Sequence, residues 1–234
     1  MRPVQFFIDF DGTITRSDVV DRILESFALP DWKKVEAEWA SGKIGSRECL
    51  SRQMALVGMK EAELKNLLKS VEVDSHFSSF IKRTFDFDVP VTILSDGFLT
   101  VIREVLKREL KSTGIPSKKI PVYANDIKLM GSKISLVFPK GQPCTHGCAN
   151  CKQSLVERLS KNAHQNVFIG DGLSDRFGAK VSNFVFAKKK LLLYCRENDV
   201  PHQEFHDFSD IEKWMVNNFD PFFSGTKRKE VSWC

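Results

Sequence analysis

A chain of 234 residues, 42% hydrophobic and 28% charged, is long enough for one globular core with room for a smaller inserted unit. It contains no run of about 20 apolar residues, which excludes a membrane-spanning helix. The net charge of +5 is spread thinly, without the basic stripe and interleaved aromatics of a nucleic-acid surface. The N-terminus lacks the basic flank, long apolar stretch and small-residue cleavage site of a signal peptide, so a cytoplasmic location is expected.

The first strand is predicted over Val4 to Asp9, an apolar run closed by Asp9-Phe10-Asp11-Gly12-Thr13. Two carboxylates one residue apart at the end of a buried strand are costly unless they are paired or bind a cation. Gly12 and Thr13 then turn the chain and leave backbone N–H groups able to face an anion. From residue 17 to residue 73 the pattern becomes helical. Val19, Val20, Ile23, Leu24 and Phe27 recur at helical spacing, and Pro30, Gly42, Gly45 and Gly58 punctuate the segments that follow. Four short helices without a strand predict a small helical bundle inserted after the first strand. Phe27, Trp32, Trp39, Met54 and Met59 could line an apolar substrate pocket, but for most of them the bundle core is the expectation.

Strands and helices alternate thereafter. A helix near Ser75 to Phe85 leads to a strand at Val91 to Leu94, and a second helix spans Leu99 to Leu110. A strand at Pro121 to Ala124 precedes a hairpin of Ile127 to Met130 and Lys133 to Val137. Helices at Gln153 to Ser160, Asp175 to Lys180, Leu191 to Glu197 and Ser209 to Val216 enclose strands at Val167 to Ile169 and Phe184 to Phe186. This order implies an α/β fold, a doubly wound parallel sheet with helices on both faces. The division expected is a catalytic core of residues 1–16 and 74–234 with a helical cap of residues 17–73.

Three apolar strands end in polar, glycine-containing turns: Asp9 to Thr13, Ser95-Asp96-Gly97, and Gly170-Asp171-Gly172-Leu173-Ser174-Asp175. A parallel sheet brings such turns to one edge, where α/β proteins bind ligands. Lys152 precedes the helix that leads into the last of these strands and falls on the same edge if the connections stay short.

In these motifs and their order, the chain resembles the haloacid dehalogenase superfamily of phosphohydrolases. The matches are Asp-x-Asp-Gly-Thr at Asp9, Ser95, Lys152, and Gly-Asp-Gly-x-Ser-Asp at Gly170, and they cover nearly the whole chain. The helical insert resembles the cap of the phosphoserine-phosphatase-like branch. Within that branch, Cys148 to Lys152 and Val185 to Lys188 are most similar to the methionine-salvage enol-phosphate phosphatases.

The resemblance implies a Mg²⁺-dependent phosphatase acting on a small phosphorylated metabolite, working as a monomer or homodimer without nucleic-acid or membrane partners. Asp9 would be the nucleophile that forms an aspartyl-phosphate. Asp11 would serve as general acid and then base. Asp9, the Asp11 carbonyl and Asp171 would hold Mg²⁺, with Asp175 supporting or completing the metal site. Ser95, the Gly97 N–H and Lys152 would bind the phosphoryl group. Asp18 and Arg52 stand where cap residues of phosphoserine phosphatases recognise the substrate head. Asp18 is shorter than the glutamate of that family, which puts phosphoserine second to the methionine-salvage enol phosphate. A silent binding protein on the same fold is the non-enzymatic alternative, and retention of both Asp9 and Asp11 argues against it.

Two features lie outside this scheme. Cys144, Cys148 and Cys151, with His146 between them, could hold a structural zinc or a redox pair. No second Cys pair follows, so free thiols in a packed loop are the expectation and zinc is disfavoured. The clusters Lys188-Lys189-Lys190 and Lys227-Arg228-Lys229 read as solvated surface and a basic tail.

Overall fold

The computed structural model of the chain describes residues 4–139, 144–160 and 165–219. Strand β1 (Val4–Ile8) is buried along its whole length. It is followed by α1 (Val19–Phe27), α2 (Trp32–Ala40), α3 (Ser46–Met54) and α4 (Glu61–Lys69), the four short helices that the periodicity predicts. Asp18 caps α1 by accepting the Asp21 N–H at 3.0 Å. The chain enters and leaves these helices side by side. Thr15 and Val73 form an antiparallel bridge, Arg16 N–H donates to Glu72 O at 3.0 Å, and Asp74 N–H donates to Ile14 O at 2.9 Å. Arg108 braces the exit, donating to Leu68 O at 2.7 Å and Val71 O at 2.6 Å.

Helix α5 (Phe77–Asp86), β2 (Val91–Phe98) and α6 (Leu99–Glu109) come next, followed by the hairpin of β3 (Val122–Met130) and β4 (Lys133–Val137). The remainder is α7 (Lys152–Leu159), β5 (Gln165–Gly170), α8 (Arg176–Lys180), β6 (Phe184–Ala187), α9 (Lys189–Glu197), β7 (His202–Glu204) and α10 (Phe208–Phe219). Among the described residues the strands form one sheet in the order β4-β3-β2-β1-β5-β6-β7, parallel except for β4.

Alternation along each strand builds two cores. Phe6, Ile8, Ile93, Val167, Ile169, Phe184 and Phe186 face one side, with α5, α6, α10 and the inserted helices. Phe7, Leu94, Phe168, Val185 and Ala187 face the other, with α7, α8 and α9. Phe6 and Phe80 meet edge to face at 5.5 Å, and Phe77 packs on Phe208 at 5.3 Å.

Three local expectations change. β2 continues through Ser95-Asp96-Gly97 to Phe98, and its register with β3 breaks between Leu94 and Phe98, so this motif is an irregular strand end rather than a turn. β3 is one long strand where two were expected, because Asn125 and Asp126 continue the extended backbone. β7 is a polar edge strand with no apolar alternation to announce it. The basic tail at Lys227 to Lys229 lies outside the described residues.

Candidate active site

The turn after β1 is anchored by Phe10, which is buried in the core and holds Asp9 and Asp11 on either side of it. The backbone N–H groups of Ile14 and Thr15 return to Phe10 O at 2.9 and 3.0 Å, and Gly12 N–H donates to Thr15 Oγ1 at 3.1 Å. Gly12 sits at φ +74°, and a Cβ there would lie 2.4 Å from Asp171 Oδ2. The same closeness recurs at Gly97, where a Cβ would lie 2.5 Å from Asp11 Oδ2. Both glycines leave room for a carboxylate from another motif.

Lys152 is the first residue of α7 and is only 2% exposed. Its Nζ donates to Asp9 Oδ1 and to Asp175 Oδ1, each at 2.6 Å. Burial alone would lower the pKa of this ammonium. Asp175, Asp9 and Asp96 outweigh that effect and hold it well above the ordinary lysine value. Asp175 spends its other oxygen on the N–H groups of Asp171 at 3.0 Å and Gly172 at 2.9 Å, so it orients the lysine and the turn after β5. Asp171 accepts the Thr13 hydroxyl at 3.1 Å and the Lys189 ammonium at 2.9 Å.

The carboxylates outnumber their buried counter-charge. Burial first, and then Asp175, push the Asp9 carboxyl well above its usual range against the pull of Lys152. Burial and then Asp18 push up Asp11, although the Val19 N–H donates to its Oδ1 at 2.9 Å. Oxygens of Asp9, Asp171 and Asp175 lie within 4.8 Å of one another. A crowded, buried, all-oxygen donor set with excess negative charge fits a hard divalent cation such as Mg²⁺.

The expected residues divide by position. Asp9, Asp11, Ser95, Lys152, Asp171 and Asp175 converge at the carboxyl edge of the sheet. Ser95 Oγ lies 3.3 Å from Asp11 Oδ2 and also accepts the Gly97 N–H at 2.8 Å, so that N–H is committed within the protein. Asp18 lines the cavity of about 410 Å³ between the sheet edge and the inserted helices, together with Asp9, Asp11 and Asp171. Val20, Trp39 and Leu50 supply its apolar wall.

Arg52 does not reach this cavity. It is exposed and pairs with Glu38 at 2.6 Å and Glu48 at 3.3 Å, because its position on α3 faces α2 and solvent. Trp32, Met54 and Met59 are core, as expected of a bundle, and Phe27 packs on it. Trp39 belongs instead to the cavity wall.

Three contributions were not anticipated from the chain. Lys188 and Lys189, read as solvated surface, reach the first turn. Lys188 Nζ lies 3.3 Å from Thr13 O, and Lys189 Nζ lies 3.2 Å from Gly12 O as well as on Asp171. Their place directly after β6, at the active edge, was the available signal. Asp96 is the third. It lines the same cavity, and its Oδ1 is buried without a hydrogen-bond partner.

The cysteine loop packs beside this site. Cys144, Cys148 and Cys151 are partly buried free thiols with sulfurs within 4.8 Å of one another.

A family model described as haloacid dehalogenase-like hydrolase matches residues 6–180. A 2-hydroxy-3-keto-5-methylthiopentenyl-1-phosphate phosphatase of Brevibacillus brevis is 26% identical over 209 residues, 88% of this chain and 91% of that protein. The Bacillus cereus protein of the same name is 29% identical over 215 residues, 89% of this chain and 94% of its own. Among solved structures, a substrate-bound phosphoserine phosphatase complex aligns with a TM-score of 0.67 at 17% identity, covering 92% of this chain and 99% of the other. A phosphoserine phosphatase from T. onnurineus aligns with the same TM-score at 15% identity, over 93% of this chain and 96% of the other. These two likenesses concern the fold.

Proposed function

The chain belongs to the haloacid dehalogenase-like hydrolases, and from that premise we propose that it hydrolyses a small-molecule phosphate monoester at Asp9. The observation that carries this reading is the buried Lys152 ammonium shared by Asp9 and Asp175, with Asp171 alongside. Residues 17–73 act as the cap over this site and supply the walls that select the substrate.

Lys152 holds one Asp9 oxygen and fixes the carboxylate, leaving the second oxygen to attack phosphorus in line. The P–O bond to the leaving group breaks as the aspartyl-phosphate forms. Asp11, whose carboxyl is held up by burial, gives its proton to the departing alkoxide. It then takes a proton from the water that cleaves the acyl-phosphate. Ser95 and Lys152 donate to phosphoryl oxygens as charge spreads over them. Asp9 and Asp171, with the carbonyl of Asp11, would hold Mg²⁺, and Asp175 positions both Lys152 and the turn that carries Asp171. The cation's chemistry, when bound, is to offset the repulsion between an anionic nucleophile and an anionic phosphate.

For the substrate we favour the methionine-salvage enol phosphate named in the relatives. The wall of Val20, Trp39 and Leu50 suits a methylthioalkyl tail, and Arg52, the cation that would take an amino-acid carboxylate, is outside the cavity. Asp18 on the wall supports phosphoserine as the second reading, through its ammonium group. The deciding experiment is Mg²⁺-dependent phosphate release from a panel containing both compounds and a generic aryl phosphate. Preference for the enol phosphate, with no turnover by Asp9→Asn, supports the proposal. Preference for phosphoserine supports the second reading, and silence of the wild type across the panel supports a binding protein.

A further inference from the structure

We propose that Cys144, Cys148 and Cys151 form a zinc site, distinct from the carboxylate site, that fastens the loop carrying Lys152 to the cap. Three thiols from an eight-residue stretch place their sulfurs within 4.8 Å of one another without forming a disulfide. Zinc–sulfur bonds of about 2.3 Å in a tetrahedron require sulfurs about 3.8 Å apart, which this cluster can meet with small adjustments. The backbone favours a thiolate at Cys144. Gly147 adopts φ +65°, which folds the loop back so that the Cys148 N–H donates to Cys144 Sγ at 3.3 Å. An N–H aimed at sulfur stabilises negative charge there, as a metal thiolate needs.

A fourth ligand has room. Cys148 and His146 both line a cavity of about 180 Å³, while the His146 ring is stacked on Phe177 at 4.0 Å. A solvent molecule entering from that cavity, beside Cys148, would complete the tetrahedron. Three soft sulfurs select zinc over magnesium, and the hard carboxylates around Asp9 have the opposite preference, so the two sites would not compete for the same ion. A disulfide would join two of the sulfurs and leave the third without a role.

The loop's surroundings say what such an ion would hold. Arg47 N–H, in the first turn of α3, donates to Gly147 O at 3.0 Å, and Ala149 N–H donates to Ser46 Oγ at 2.8 Å. A Cβ on Gly45 would lie 2.4 Å from Gly147 O, so cap and loop touch backbone to backbone. Asn150 donates to Ser95 O at 3.0 Å and Tyr123 O at 2.8 Å, and Cys151 directly precedes Lys152. One ion at this point would tie together α3, the end of β2 and the start of α7.

The test uses the full chain, purified reduced and with zinc supplied, then dialysed against a weak chelator in Mg²⁺ buffer. The expected result is one zinc per chain, with an X-ray absorption shell of three sulfurs and one lighter atom. The Cys148→Ser/Cys151→Ser variant should lose the zinc, and Cys49→Ser should keep it. If the double variant does not fold, the wild-type absorption shell decides by itself. Substoichiometric zinc, a shell of oxygen and nitrogen only, or a disulfide within the cluster after purification without reductant would overturn the proposal. None of these readouts depends on turnover, so they stand apart from the phosphatase assignment.

Discussion

Lys152 Nζ lies 2.6 Å from Asp9 Oδ1, although the two residues are 143 positions apart and both are buried. The pair is the central contact of the site, since it joins the turn after β1 to the start of α7. Removing one member of a buried ion pair strands the other. Lys152→Met is therefore expected to cost about 3–5 kcal/mol near neutral pH, measured by urea unfolding. The loss should shrink as pH falls, because burial raises the Asp9 carboxyl and a protonated Asp9 no longer needs the ammonium. Unchanged stability at neutral pH would contradict the pairing.

The crowd of carboxylates gives the metal-free protein an unusual pH response. Burial, with like charges nearby, raises Asp9, Asp11 and Asp175 above the ordinary aspartate value. The folded protein then binds more protons than the unfolded chain as pH rises above about 4, so stability falls with pH through that window. Lys152, raised in its turn, contributes fully until pH passes the ordinary lysine value and does not alter the sign. Urea midpoints should thus be lower at about pH 8 than at about pH 5. Saturating Mg²⁺ should remove most of the difference.

Asp11→Asn keeps the shape of its carboxyl but cannot exchange a proton with the leaving group or with water. Steady-state kcat is expected to fall by about 10²–10⁴. Rapid quench should show the deficit in both formation and breakdown of the phosphoenzyme. The smallest effect on the first step should occur with aryl phosphates, whose leaving group needs no proton. Equal losses for alkyl and aryl substrates would argue against proton donation.

Gly12→Ala tests close approach. A methyl group there meets Asp171 Oδ2, and φ +74° strains any L side chain. Stability should drop by about 1–2 kcal/mol from the backbone alone. The Mg²⁺ concentration for half-maximal activity should rise several-fold as Asp171 shifts. An unchanged Mg²⁺ dependence would mean that Asp171 is not a ligand.

Arg52 and Asp18 should separate. Arg52 lies on the surface against Glu38 and Glu48, so Arg52→Ala should leave kcat/KM within about twofold. Asp18→Ala loses both a cavity wall and the α1 cap, and its KM should rise while Arg52→Ala does not move. A large KM effect from Arg52→Ala would bring that side chain back to the substrate.

Much of this was readable in the chain because strand ends advertise themselves. Val4 to Thr13 combines an apolar run with two acids and a glycine, and topology brings Lys152 and Asp171 to the same edge. The rest was hidden for physical reasons. Lys189 looks like any surface lysine, and only the crossing from β6 to α9 swings it onto Asp171. Arg52 sits at a plausible spacing, but the rotation of α3 against α2 decides which way it faces, and helical periodicity does not report that. Ser95-Asp96-Gly97 read as a turn because glycine and aspartate favour turns, whereas the chain passes through them as an irregular strand end and pairs with β3 again only at Phe98, opposite Asn125.

The bridge between Thr15 and Val73 also bears on how the chain reaches this structure. β1 must find β2 across the entire helical insert, as the Phe6–Val91 register shows. Once the neck at Thr15 and Val73 is closed, most of that span is pinched off as a separate loop. The remaining search is shorter by more than half, an entropic relief of roughly 1 kcal/mol. Mutations that open the neck should therefore slow refolding more than they weaken the finished sheet.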